Sequence, residues 1–154
     1  MLKRLLAVVW VNTPGFVRRW GVRLTQPRFT VTAGAVIRDE RGRVLLLRHV
    51  FRRGSGWGIP GGFLASGEQP DEAVRRELRE ETGLALEEVE LAFVRTLARP
   101  HQVEVIFRGR MQAAALAGRE DSLEIDRAEW FERDALPEVI GDDQRRLIAR
   151  ALGD

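Results

Sequence analysis

The chain has 154 residues, 44 % hydrophobic and 31 % charged, with no cysteine, two histidines and a net charge of +2. That composition is one of a globular domain long enough to bury a core. It excludes disulfides, thiol nucleophiles and cysteine-built zinc sites, and leaves too few histidines for a histidine-built metal centre. The charge is uneven. Residues 1–28 carry Lys3, Arg4, Arg18, Arg19, Arg23 and Arg28 and no acid, which is +6 and leaves −4 for the rest. A mildly acidic body argues against a general binder of nucleic-acid polymers, which would carry a basic face on the domain itself. A cysteine-free chain fits a reducing cytoplasm.

Residues 1–28 read as a basic, apolar arm, and 29–154 as the working domain. Leu2, Leu5, Leu6, Val9 and Trp10 recur at helical spacing until Pro14-Gly15 interrupts, and Phe16 to Leu24 suits a second short helix. Leu5–Val11 is too short to span a bilayer. Lys3-Arg4 before it imitates a signal peptide, but no clean small-residue cleavage site follows, so the segment is expected to be retained. A helix of about thirteen residues is marginal alone in water, so the arm must gain order from something it touches. Protein contact, within a subunit or across a homodimer, is expected ahead of a membrane.

Phe29 to Ile37 alternates as a strand, Asp39 to Gly42 reads as a hairpin turn, and Val44 to Leu47 is an apolar run suited to a strand buried on both faces. Residues 48–58 form a basic, glycine-broken loop. Glu90–Leu97 and Val103–Met111 read as strands, Gly118–Ser122 as a polar loop, Ala128–Phe131 as a short strand and Asp142–Leu152 as a closing helix. This order suggests an α+β or α/β sandwich with a mixed sheet.

Between the loop and the later strands lies the most informative stretch, Gly61 to Leu84. It opens as a glycine turn and continues as a helix, with Pro70 suited to the first turn and Gly83 to a left-handed cap. Glu77, Glu80 and Glu81 fall on one helical face, where like charges repel. A divalent cation would relieve that repulsion, and crowded carboxylates are the ligands hard Mg²⁺ prefers. A glutamate-rich helix is otherwise just a solvated face. The spacing decides between the two. Gly62, five residues, Glu68, seven residues, Arg76-Glu77-Leu78, one residue, Glu80-Glu81, one residue, Gly83-Leu84 specifies nine positions. A chance match is on the order of 10⁻⁹ to 10⁻¹⁰ per start position at average residue frequencies.

This pattern resembles the Nudix box, with Trp57 and Pro60-Gly61-Gly62 similar to the family's lead-in. A looser likeness runs from about Thr30 to Leu152. The resemblance implies the Nudix α/β/α sandwich and hydrolysis at a phosphoanhydride with Mg²⁺, or Mn²⁺, as cofactor. It implies that Glu77, Glu80, Glu81 and the Gly61 carbonyl ligate metal, and that one glutamate activates water. Glu68 and Arg76 match positions that steady helix and loop by ion pairing. A further carboxylate outside the box is common in the family. Glu124, ahead of Trp130, is the first candidate, with Glu120 and Glu129 competing.

The substrate is expected to be a nucleotide-type small molecule. Arg48, Arg52 and Arg53 suit terminal phosphates, since arginine forks match phosphate oxygens, or else form a solvated basic loop. Trp57 is expected in the core ahead of stacking on a base, and His101 in a structural role. Pro100 lies sixteen residues beyond Leu84, a spacing similar to that of Nudix enzymes that cleave ADP-ribose, although a proline between strands is also ordinary. The favoured substrate is a nucleoside diphosphate linked to another moiety, the alternative a nucleoside triphosphate. A non-catalytic nucleotide-sensing module is a third reading, disfavoured because no box carboxylate is missing.

Overall fold

The computed structural model describes residues 2–51, 54, 56–86, 88–112 and 124–153. Eleven elements follow in order: α1 (Leu2–Asn12), α2 (Gly15–Thr25), β1 (Thr30–Arg38), β2 (Val44–His49), β3 (Trp57–Gly58), β4 (Gly61–Phe63), α3 (Pro70–Thr82), β5 (Glu88–Leu97), β6 (Gln102–Arg110), β7 (Ile125–Phe131) and α4 (Asp142–Leu152). Arg52, Arg53, Glu120 and the expected loop Gly118–Ser122 lie outside the described residues.

The sheet is mixed. β1 runs parallel to β6 from Thr30↔Gln102 to Arg38↔Arg110, while β5 pairs antiparallel with β6. On the other side β2 meets β1 at Arg38↔Val44 and carries β3 and β7 antiparallel. The Asp39 turn is held from inside. One carboxylate oxygen accepts the N–H groups of Arg41 and Arg43 at 3.0 and 2.8 Å, and the other accepts Arg43 Nε at 2.7 Å.

Strand alternation sorts the core into two layers. Ala33, Ala35 and Ile37 of β1 and Leu45 and Leu47 of β2 pack with Ala73, Val74 and Leu78 of α3. Val36, Val44 and Leu46 face the other way, with Ile106, against Leu147, Ile148 and Ala151 of α4. The run Val44–Leu47 is therefore buried on both faces, and the sheet lies between α3 and α4 as an α/β/α sandwich. Trp57 joins the α4-side core, edge-on to Phe131 with ring centroids 5.1 Å apart. Trp130 packs on the α3 side.

The structure departs from the local reading where pairing is non-local. Gly61–Phe63 is a short strand on β1, not only a turn. The loop 48–58 is shortened at both ends, because Arg48↔Trp57 and Leu47↔Gly58 pair β2 with β3. β7 begins at Ile125, ahead of the expected Ala128, because it follows β2 to His49.

Candidate active site

The site is built on α3 and β4. α3 starts on a reciprocal cap, with Glu72 accepting the Gln69 N–H at 3.0 Å, and ends at Gly83 with φ 75° in the left-handed region. Its apolar positions Val74 and Leu78 are buried, and Glu77, Glu80 and Glu81 fall on the adjoining face, from which Glu77 and Glu81 reach β4. Two glycines let the strand come close. A Cβ on Gly61 would lie 2.3 Å from the Ala33 carbonyl oxygen, and its φ of 144° disfavours any other residue. A Cβ on Gly62 would lie 2.4 Å from a Glu77 carboxylate oxygen, so that carboxylate occupies the space a side chain would take. Gly61 N–H donates to Glu81 Oε2 at 3.3 Å.

Arg76 joins the acids. It donates to both Glu68 oxygens at 2.8 and 3.0 Å, to Glu77 Oε1 at 2.8 Å, to Glu80 Oε2 at 3.1 Å and to the Phe63 carbonyl at 3.1 Å. The hydrogen bonds from Arg76, with the Ala65 N–H, bring the Glu68 carboxyl down from its ordinary 4.5 to about 2. Glu68 in turn is the main cause of the raised pKa of Arg76. The Arg76–Glu68 pair links the loop before α3 to the helix. Its further contacts, with the adjacent Glu77 and with Glu80 one turn on, supply the acid face with a positive partner.

The donor set suits a hard divalent cation: Glu77, Glu80 and Glu81 offer carboxylate oxygens beside main chain stripped of side chains. Among the described residues, however, no group of three or more histidine, aspartate or glutamate side chains is gathered closely enough to hold a metal ion. Arg76 draws Glu77 and Glu80 to itself, and Glu81 turns to the Gly61 N–H.

β4 is also one wall of a cleft of about 360 Å³, whose other walls come from β1, β6 and α4. Sequence reading missed its polar lining: Thr32, Gln102, Glu104 and Gln144. Gln102 Nε2 donates to Thr32 Oγ1 at 2.7 Å and to Glu104 Oε1 at 3.2 Å. Arg95 holds Glu104 and reaches Asp143 in the first turn of α4 with bonds of 2.9 and 2.7 Å. The signal available was the alternation Gln102-Val-Glu104-Val, which puts two polar side chains on one face of a strand. A second hollow of about 240 Å³ lies among Arg38, Glu88, Glu90 and Arg108 at the opposite end of β1 and β6 and touches none of the box residues.

The other predicted residues are spread out. Arg48 is engaged by Asp126, with Nε donating to its carboxylate at 2.8 and 2.9 Å. Glu124 is exposed just before β7, and its carbonyl accepts Val50 N–H at 2.8 Å. It stands at the sheet end where β2 finishes, which by antiparallel register is the end where β1 begins and where β4 pairs. Glu129 sits within β7 opposite Leu46 and pairs with Arg127 at 3.3 Å. His101 packs its ring against Phe29, centroids 5.7 Å apart.

The family model for the NUDIX domain matches residues 28–151. The chain belongs to the NUDIX family. Among curated relatives of this NUDIX chain, the NAD-capped RNA hydrolase NudC of Pseudomonas aeruginosa is 34 % identical over 93 residues, 60 % of this chain and 32 % of its own length. The RNA pyrophosphohydrolase of Xanthomonas campestris is 48 % identical over 63 residues, 41 % of this chain and 30 % of its own. The chain thus spans about a third of the length of these relatives. Among solved structures, a MutT NUDIX hydrolase from Burkholderia pseudomallei superposes with a TM-score of 0.68 at 29 % identity, covering 80 % of this chain and 98 % of its own. The NUDIX domain of Shewanella oneidensis NrtR, complexed with ADP ribose, shares the fold with a TM-score of 0.68 at 21 % identity, over 95 % of this chain and 96 % of its own.

Proposed function

We propose that this chain is a Mg²⁺- or Mn²⁺-dependent hydrolase that cleaves a phosphoanhydride bond in a nucleoside diphosphate linked to another moiety, of the ADP-ribose or nucleotide-sugar kind. One observation carries the reading. Gly61 and Gly62 are touched by the box carboxylates Glu81 and Glu77 and also line the cleft walled by Thr32, Gln102, Glu104 and Gln144. A charged acid face and a hydrogen-bonding pocket share one strand, as a substrate with a diphosphate at one end and a polar nucleoside at the other requires.

Glu77, Glu80, Glu81 and the Gly61 carbonyl would hold the cation, which neutralises phosphate oxygens and lowers the pKa of bound water when present. The chain itself binds and positions. Arg76 and Glu68 fix the loop against the helix, so the carboxylates are presented from a rigid element. The cleft wall offers Thr32, Gln102, Glu104 and Gln144 to the base and sugar. Glu124 is assigned to the attacking water, from the sheet end that carries β4. Arg48, Arg52 and Arg53 are assigned to phosphate oxygens, Arg48 by exchanging Asp126 for substrate. We read the setting as cytoplasmic.

The relatives' printed names support both substrate classes. An NAD cap contains a diphosphate between two nucleosides, the favoured class. An RNA pyrophosphohydrolase supports the alternative, attack on a triphosphate-type end. Both names also concern RNA, so a polymer beyond the reacting diphosphate is part of the question even though the body of the chain is not basic. The test is a product assay with Mg²⁺ over ADP-ribose, nucleotide sugars, NAD, (d)NTPs, and NAD-capped and 5′-triphosphate RNA. Two monophosphates from a diphosphate derivative are expected. Strong (d)NTP or 5′-triphosphate turnover with no cleavage of any diphosphate derivative would reverse the choice.

A further inference from the structure

The arm before β1 is not used by the site, and the structure sets its two helices out in an instructive way. On α2, Phe16, Val17, Trp20 and Leu24 fall within one face about 100° wide, Arg18 and Arg19 fall outside it, and Arg23 flanks its edge beside Phe16. All four apolar residues are exposed, Phe16 and Trp20 each at 61 % and Leu24 at 78 %. On α1, Val8, Val9, Trp10 and Val11 are each more than half exposed. The main contacts between elements of the fold involve neither helix, so the arm is not simply the outer layer of its own domain. No helix among the described residues is long and apolar enough to cross a membrane.

We propose that α1 and α2 form an interfacial anchor that lays the arm on an anionic lipid surface. An interfacial helix needs an apolar face bearing aromatics, a basic polar face and a length that does not span the bilayer. α2 has each of these, and α1 adds apolar surface with Lys3 and Arg4 at its start. Charge selects the occupant. With six basic residues and no acid before Phe29, arm packed on arm in a second copy would bring like charges together without a compensating group. An RNA strand would satisfy the arginines but leave Phe16, Trp20 and Leu24 in water. A bilayer with acidic headgroups covers both the stripe and the charges. Of the protein contacts expected from sequence, the structure shows the stripe unburied by its own chain, and the like charges argue against the contact across a homodimer. The proposal is independent of the catalytic reading.

The test uses the full chain with phosphatidylcholine vesicles, with and without a quarter phosphatidylglycerol, at physiological salt. Sedimentation with the anionic vesicles and little with the neutral ones is expected. Arg18→Gln/Arg19→Gln/Arg23→Gln should weaken anionic binding about 100-fold, the scale of three basic residues at such a surface. Phe16→Ser/Trp20→Ser should abolish it. Circular dichroism and turnover of a soluble substrate, equal to wild type in both variants, show that the domain is folded. The proposal is overturned if the full chain stays in the supernatant with anionic vesicles, or if both variants sediment like wild type. It is equally overturned if light scattering finds a dimer in the absence of lipid that Phe16→Ser/Trp20→Ser dissociates, since the stripe would then be covered by a second copy.

Discussion

Glu77, Glu80 and Glu81 share a helical face, but their surroundings differ. Glu77 sits against Gly62 and Arg76, Glu81 reaches the Gly61 N–H, and Glu80 is the most exposed of the three and accepts from Arg76 Nη1 at 3.1 Å. If all three serve the cation, Glu80→Gln or Glu81→Gln lowers kcat by roughly 10²–10⁴, the scale of losing one key catalytic group. Arg79→Ala, exposed and off that face, should leave kcat near wild type. Glu124→Gln measured beside Glu129→Gln and Glu120→Gln checks the additional carboxylate. Wild-type rates for Glu124→Gln with collapse of another variant would move the role. Acid sensitivity is also a residue-scale property. Glu68 titrates near 2 in the folded chain against an ordinary 4.5. Its folded pKa is depressed, so the stability it contributes is fully present above about 4.5 and is lost as pH falls toward 2. Thermal melts of wild type and Glu68→Gln from pH 6 to 3 should converge as pH drops. Parallel curves across that range would show that the pair contributes no pH dependence.

At the scale of elements, the box is a joint between a strand and a helix. α3 is fixed by its cap, its buried Val74 and Leu78 and the Arg76–Glu68 link; β4 is fixed by three pairs with β1. The opposite wall depends on Arg95, only 17 % exposed, which ties β5 to Glu104 of β6 and to Asp143 of α4. Removing it leaves the Glu104 and Asp143 carboxylates without their shared cation. Arg95→Ala is expected to cost about 1.5–3 kcal/mol, the range for hydrogen bonds to charged groups, toward the lower end because Asp143 is exposed. KM should rise more than kcat falls, because the cleft wall loosens while the box is untouched. Urea melts and steady-state kinetics check both parts. A kcat loss with KM unchanged would place Arg95 in the chemistry instead.

Across the whole molecule, burial separates a folded domain from an arm. Leu78→Ala empties a fully buried position between α3 and the sheet and should cost about 2–5 kcal/mol. Leu24→Ala, on the exposed stripe of α2, should change the melting free energy in solution by less than about 0.5 kcal/mol. A large loss at Leu24 would mean that the arm is packed onto protein in solution. Much of this architecture was legible beforehand. Glu77, Glu80 and Glu81, their helix and its caps follow from spacing between residues close in the chain. The core face of β1 follows from the alternation of Val31, Ala33, Ala35 and Ile37, and the double burial of β2 from its continuous apolar run. The short strands β3 and β4 were not legible, since two or three residues become a strand only when a distant partner supplies the hydrogen bonds. The cleft wall was hidden for the same reason: Thr32 and Glu104 are neighbours only through the parallel pairing of β1 with β6. By itself, then, the sequence determined the family, the acid face of α3 and the basic, apolar character of the arm, because each is written in local order and composition. Only the tertiary structure decided that Gly61 and Gly62 join the box to a polar cleft, and that the stripe of α2 stays uncovered. Those are contacts or exposures between segments far apart in the chain, and packing alone sets them.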